Sequence, residues 1–234
     1  MQHEIGKMTG SGSRYGGAAL CAALVVSGCM TAKLEETRSL TTHIAEGEGV
    51  VLLAKPQVEG STAEDDFLDC VSARMARQSG IRMHGNNEFQ DALFPWFEPS
   101  TAPQRAEGVT QLLERQLVRQ RIEKSGVRYI VWVDGLTRQT DSGGSLSCAL
   151  SPAGGGCIGF GWWEKESDYD ALVWDLKQAK TAGTISTNVV GTSALVGVLV
   201  PLPFIARVRS AACNRLADQI SGFLRGDDPS VEAG

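Results

Sequence analysis

Residues 127–133, Val-Arg-Tyr-Ile-Val-Trp-Val, constrain the fold more than any other segment of the chain. β-Branched and aromatic side chains dominate the run, a composition that fits a pleated, half-buried surface. Residues 104–125 just before it carry Val109, Leu112, Leu113, Leu117 and Ile122 at helical spacing, and Gly126 stands where a C-terminal cap belongs. A helix that delivers the chain directly into such a strand is the repeating unit of layered α/β domains.

The flanking segments extend that pattern. Residues 49–55 (GVVLLAK) read as a buried first strand, stopped by Pro56. Ser61 or Thr62 can cap a helix running to about Gln78, with Glu64, Asp65 and Asp66 favourable in its first turn, Phe67, Val71 and Met75 on its inner side, and Gly80 at its end. Residues 81–84 suit a short second strand. The glycines at 143, 144 and 154–156 predict a loop, and residues 157–163 a returning strand. Residues 170–177 and 184–190 read as a hairpin turning at 180–183. Residues 194–206 contain Pro201 and Pro203 and read as a buried connection, too short for a membrane helix. Residues 211–224 form the last helix, with Leu216, Ile220 and Leu224 on one side, and 226–234 a disordered tail. The expected fold is a single α/β sandwich over residues 48–225, with a mixed sheet of about five strands and three main helices.

The N-terminus has a different character. Lys7 and Arg14 precede an uncharged small and apolar run at 16–26, too short to span a bilayer but suited to the core of a signal peptide. Val26-Ser27-Gly28-Cys29 then resembles the bacterial lipobox. That resemblance implies a signal peptide at 1–28, cleavage before Cys29, a diacylglyceryl group on its thiol and acylation of the new amine. Residues 29–47 are then the lipidated N-terminus and a polar tether. Several acyl chains make a stable anchor where one binds marginally. Met30 stands where an Asp would favour the inner membrane, so the expected address is the periplasmic side of the envelope, at the outer membrane. Without Glu4, Lys7 and Arg14 the formal net charge of −5 becomes −6, which argues against a nucleic-acid partner.

Cys21 leaves with the signal and Cys29 takes the lipid, leaving Cys70, Cys148, Cys157 and Cys213. Four cysteines in an oxidising compartment allow three pairings. Cys148 and Cys157 flank a short loop, and Cys70 and Cys213 both fall in helices, so the expected bridges are 148–157 and 70–213. No pair has zinc-like spacing, and neither a metal nor a cofactor is expected.

The element order is similar to that of a periplasmic superfamily containing the TolB N-terminal domain, the curli secretion channel lipoprotein and the lipoprotein activators of penicillin-binding proteins. The features that carry the likeness are the lipobox, GVVLLAK, the helix before Gly126 and the strand ending in Asp134-Gly135, the hairpin DALVWDLKQAKTAGTIST and the closing helix AACNRLADQI. The resemblance implies a non-enzymatic interaction module that assembles with itself or touches another envelope protein. The segments at 94–97 and 142–157 depart from the pattern.

Candidate chemistry is sparse. Asp141-Ser142-Gly143-Gly144 is similar to the nucleophile segment of trypsin-like proteases, but a nucleophilic serine needs a positioned base. The mature chain offers only His43 and His84, and Thr140 replaces the glycine that normally precedes the motif, so a turn is expected. Glycines 154–156 lack the Lys-Ser/Thr ending of a phosphate loop. Glu164, Glu166, Asp168 and Asp170 alternate along one strand face, either a cation site or a solvated edge that discourages sheet pairing. Phe94, Trp96, Phe97, Trp162 and Trp163 either fill the core or form an interaction surface. Adjacent strand residues face opposite ways, so one of Trp162 and Trp163 is expected outside. The expectation is therefore an anchored envelope interaction or assembly module without enzymatic activity. The alternatives are a periplasmic hydrolase and a peptidoglycan or small-ligand binding protein.

Overall fold

The computed structural model describes residues 29–55, 63–98, 100–103, 106–152, 154–199 and 201–227. The expected signal peptide, the expected Ser61 or Thr62 cap and the end of the tail lie outside them. The described chain is a mixed α/β structure: β1 (Met30–Arg38), β2 (Gly49–Ala54), α1 (Asp65–Ser79), β3 (Arg82–His84), α2 (Asn86–Ala92), α3 (Ala106–Leu113), α4 (Gln116–Ser125), β4 (Val127–Ser151), β5 (Gly154–Asp175), β6 (Lys180–Leu199), β7 (Pro201–Phe204) and α5 (Val208–Arg225). The strands form one seven-stranded sheet in the order β1-β6-β5-β4-β2-β3, with β7 beside β6. Pairing is parallel for β2 with β3 and with β4, and antiparallel elsewhere.

Two helical layers cover the proximal half of the sheet. On one face α1 and α5 pack over Val50, Leu52, Tyr129, Val131, Val133, Tyr169, Ala171, Val173 and Ile185. Phe67 stacks flat on Tyr169 there, with ring centroids 3.6 Å apart. The Cys70–Cys213 disulfide ties the two helices together. On the other face α2, α3 and α4 pack over Val51, Leu53, Ile130, Trp132 and Trp174. Each face takes alternate residues of the same strands, as the pleat dictates. Gly126 ends α4 in the left-handed conformation, as its position in the sequence predicts.

The structure corrects several expectations about the elements. Residues 30–38 are not tether: β1 pairs along β6 from Met30–Gly191 to Arg38–Gly183. Residues 39–47 are also held, since Thr42 is buried and its hydroxyl donates to the Phe223 carbonyl. β6 carries Gly183 opposite Arg38, where a Cβ would lie 2.1 Å from the Thr37 carbonyl oxygen. Among the described residues the sheet therefore begins at Met30.

The expected single helix at 104–125 is two. Its buried residues Val109, Leu113, Val118 and Ile122 are spaced four, five and four apart. At about 100° per residue the five-step would turn Val118 away from the core, and the turn between α3 and α4 corrects the phase. Arg119 donates from Nε and Nη2 to the Leu113 carbonyl at 3.1 and 3.0 Å, closing the end of α3. Leu117, placed on the apolar stripe by sequence, is exposed.

The expected loop at 142–157 is instead the distal part of β4 and β5, continuously paired from Ser142–Trp163 to Ser151–Gly154. The expected connection at 194–206 is the end of β6 together with β7. The β5–β6 turn falls at residues 176–179 instead of 180–183. At the other end of the chain Gly226 caps α5, and Arg38 donates from Nη2 to the Asp227 carbonyl at 2.7 Å. Among the described residues there are thus seven strands and five helices, where about five and three were expected.

Candidate functional site

The distal halves of β4, β5 and β6, with β7, leave the helical layers behind and project as a four-stranded sheet. The sequence of this projection is uncharged from Ser142 to Trp163 and from Thr181 to Ala206. Along one face of β5 the side chains fall into three zones. From the tip these are Ile158, Phe160 and Trp162; then Glu164, Glu166, Asp168 and Asp170; then Leu172 and Trp174 in the core. Opposite the first zone, β6 brings Ala194 beside Trp162 and Val196 beside Phe160, and β7 adds Phe204 beside Ala194. The tip is uncovered: Leu150 is 94% exposed, Ile158 74% and Phe160 48%. Ile158 and Phe160 share one face, while Leu150, paired with Gly155, lies on the other. Apolar side chains exposed on both faces of one sheet end mark a surface that meets something other than water.

The acidic row lies in the neck between tip and core, and most of it is engaged. Thr140 Oγ1 donates to Glu164 at 2.8 Å, Arg138 and Asn188 each donate to Glu166 at 2.8 Å, and Ser186 donates to Asp170. The Glu166 carboxyl is held below its ordinary range, first by the Asn188 hydrogen bond and then by Arg138. Among the described residues no group of three or more His, Cys, Asp or Glu side chains is gathered as a metal site.

Cys29 is exposed, and its carbonyl accepts from the Thr192 amide at 3.2 Å. Thr192 pairs with Glu164. Cys29 thus sits at the level where charge gives way to the uncharged strands. The Cys148–Cys157 disulfide joins directly opposed residues within the projection.

The outer edge of β4 is the other feature of this region. β2 pairs with β4 only as far as Ala54–Val133. From Gly135 to Ser151 no strand among the described residues lies on that side. No helix among them is long and apolar enough to cross a membrane, a statement that does not concern strands.

The remaining candidates from the sequence are dispersed. Ser142 pairs with Trp163 on β4, and its amide donates to Asp141. His84 lies on β3 at the level of Val51 and Ile130, about 40 Å down the sheet at 3.3 Å per residue. His43 lies beside Tyr129, its amide 3.3 Å from the Tyr129 hydroxyl. Neither histidine therefore approaches Ser142.

The five aromatics split into two places. Phe97 is buried against Phe89, Phe94 is 61% exposed, and Trp96 is half-buried under the Arg121 guanidinium. Trp162 and Trp163 lie on the projection, both half-buried, on opposite faces of β5. Trp162 lies over Gly143, where a Cβ would come within 3.0 Å of its indole nitrogen.

The candidate residues that sequence reasoning missed are those of the projection, above all Leu150, Ile158, Phe160 and Phe204. The absence of charge over two long stretches was the available signal. Glycines and prolines hid it, because they read as loops.

No family model matches the chain, and no curated protein does. Among solved structures it is similar to the PelC dodecamer from Paraburkholderia phytofirmans. A point-substituted form has a TM-score of 0.42 and 10% identity, over 83% of this chain and 99% of that one. A second form has a TM-score of 0.39 and 10% identity, over 83% and 98%.

Proposed function

We propose that this chain is a lipid-anchored envelope module that works by assembly instead of catalysis, and that its projection enters the bilayer. The observation that carries the reading is the zoning of β5: apolar tip, acidic neck, apolar core. A solvated extension would keep polar residues to its end. Here the charges stop at Glu164 and the apolar side chains resume beyond it, uncovered. Ten residues of β4 from Ser142 onward extend about 33 Å. That matches the roughly 9–11 tilted residues with which a strand crosses a bilayer. Trp162 and Trp163 stand at the boundary, the depth at which tryptophan concentrates.

Acylation of Cys29 fits the same level. Lipid on that cysteine would draw the membrane surface to Thr192 and Glu164, leaving the acidic neck in water and the uncharged strands in hydrocarbon. The address remains the periplasmic side of the envelope, at the outer membrane.

Assembly follows from backbone chemistry. Lipid offers no partner for peptide N–H and C=O groups, so a sheet in the bilayer cannot keep open edges. One copy brings four strands and two edges, the outer side of β4 and the β7 side. Pairing one edge with the other on the next copy is a head-to-tail contact, which closes into a ring when the rotation permits.

The test separates the projection from the lipid. The mature chain carrying Cys29→Ser is mixed with phospholipid vesicles and floated on a density gradient. Co-flotation is expected, and loss of it on adding Ile158→Asp and Phe160→Asp. A Cys29→Ser chain that stays wholly in the aqueous fraction contradicts insertion. Mass analysis of the N-terminal peptide tests acylation separately, and an unmodified Cys29 in protein from the envelope contradicts the anchor.

A further inference from the structure

The pole of the domain furthest from the projection carries a cleft of about 440 Å³ between β3, α2 and the end of α4. Its walls hold Arg82, Arg121 and Lys124 against a single carboxylate, Glu88, with Phe89 as the apolar floor. Three cations converge here on a chain whose formal net charge is −5. Among the described residues none of the three is in an ion pair.

Arg121 is held on two sides. Its Nη1 donates to the Phe94 carbonyl at 3.0 Å, and the guanidinium lies over the Trp96 ring, 5.2 Å from its centroid. A carbonyl and an aromatic face hold the fork in one orientation without neutralising it. That leaves its remaining donors for an acceptor with spaced oxygens. This gives the 94–97 segment a task that neither core packing nor the membrane reading supplies: it orients Arg121. His84 also lines the cleft. Burial first, and then the positive charge of Arg82, hold its imidazole below the ordinary histidine range. It therefore adds no fourth charge near neutral pH.

We infer that this cleft binds a small phosphate-type dianion through Arg82, Arg121 and Lys124. Two negative charges balance the excess of three cations over Glu88, and tetrahedral oxygens can accept from the Arg121 fork and the Lys124 ammonium together. The cleft lies at the level of the β3–β2 pairing, about 40 Å along the sheet from Ser142. A headgroup of a membrane meeting the projection is out of reach, so the dianion is a soluble molecule or a group on a surface facing the opposite pole. The inference does not depend on membrane insertion.

Calorimetric titration of the full mature chain in detergent with inorganic phosphate tests it, at constant ionic strength set by chloride. Saturable one-site binding is expected. Arg121→Gln or Lys124→Gln should weaken it about tenfold, the size expected for losing one charge-assisted hydrogen bond. Lys55→Gln, just past the other end of β2 where Lys55 pairs with Asp134, should leave it unchanged. Glu88→Gln should tighten it, a gain that a merely damaged fold does not produce. Absence of saturable binding overturns the inference, as does binding that none of the three cleft variants moves.

Discussion

The proximal and distal halves of this sheet are built from the same three strands but obey different rules. Below the neck, β4, β5 and β6 bury both faces under helices, and side chains such as Tyr129, Ile130, Tyr169 and Trp174 are almost wholly enclosed. Above it the same strands carry no charge, have no helix over them among the described residues and expose Leu150, Ile158 and Phe160. Strand pairing alone does not explain the distal half. Pairing satisfies backbone groups, whereas in water the apolar faces still need cover. On the proposed reading the same strands are assigned to two solvents, with the acidic neck marking the change.

The disulfides sharpen the contrast, and the largest expected effect lies in the proximal half. Cys70–Cys213 closes a sequence separation of 143 residues inside the helical layer. Replacing both by Ser should cost about 4–5 kcal/mol by the loop-entropy argument, read by urea unfolding followed by circular dichroism. A cost near zero would mean that α1 and α5 are held by packing alone. Cys148–Cys157 closes a separation of 9 residues within the projection. Its double Ser variant should cost at most about 2–3 kcal/mol. If the halves unfold separately, the cost appears only in hydrogen exchange of residues 142–163 and leaves the global urea midpoint in place.

The neck gives the smallest effect. Glu166 has its carboxyl held low by Asn188 and Arg138. A group whose pKa is depressed by folding stabilises the fold above its unfolded value. It loses that contribution as pH falls through the folded value. The neck should therefore weaken only below the ordinary glutamate range. Asn188→Ala removes the larger cause and should move this acid transition to higher pH, followed through the fluorescence of Trp162 and Trp163. An unmoved midpoint would show that Glu166 is not what holds the neck.

The proximal half was largely legible in the sequence. Residues 127–133, GVVLLAK and the helix over Phe67, Val71 and Met75 carry local pattern and burial that agree. Both disulfides followed from cysteine positions. The break between α3 and α4 was visible only as a five-residue step between Leu113 and Val118, which a stripe that included Leu117 concealed. β1 was hidden by its polarity: as an edge strand beside β6, Lys33, Glu35 and Arg38 need no apolar partner face. The distal half was not legible from local propensity, because Gly143, Gly144, Gly154, Gly155 and Gly156 suit turns as well as strands that pack closely. The unit to read there was a negative one, the missing charge, and it gains meaning only once register aligns β5 with β6.

The most direct test places two probes on one face of β5, in vesicles containing the mature chain. Phe160→Cys and Asp168→Cys are compared for reaction with a membrane-impermeant maleimide. The account predicts that the cysteine at 168 reacts freely while the one at 160 is protected until detergent and denaturant release it. Equal labelling of both positions in intact vesicles would contradict it.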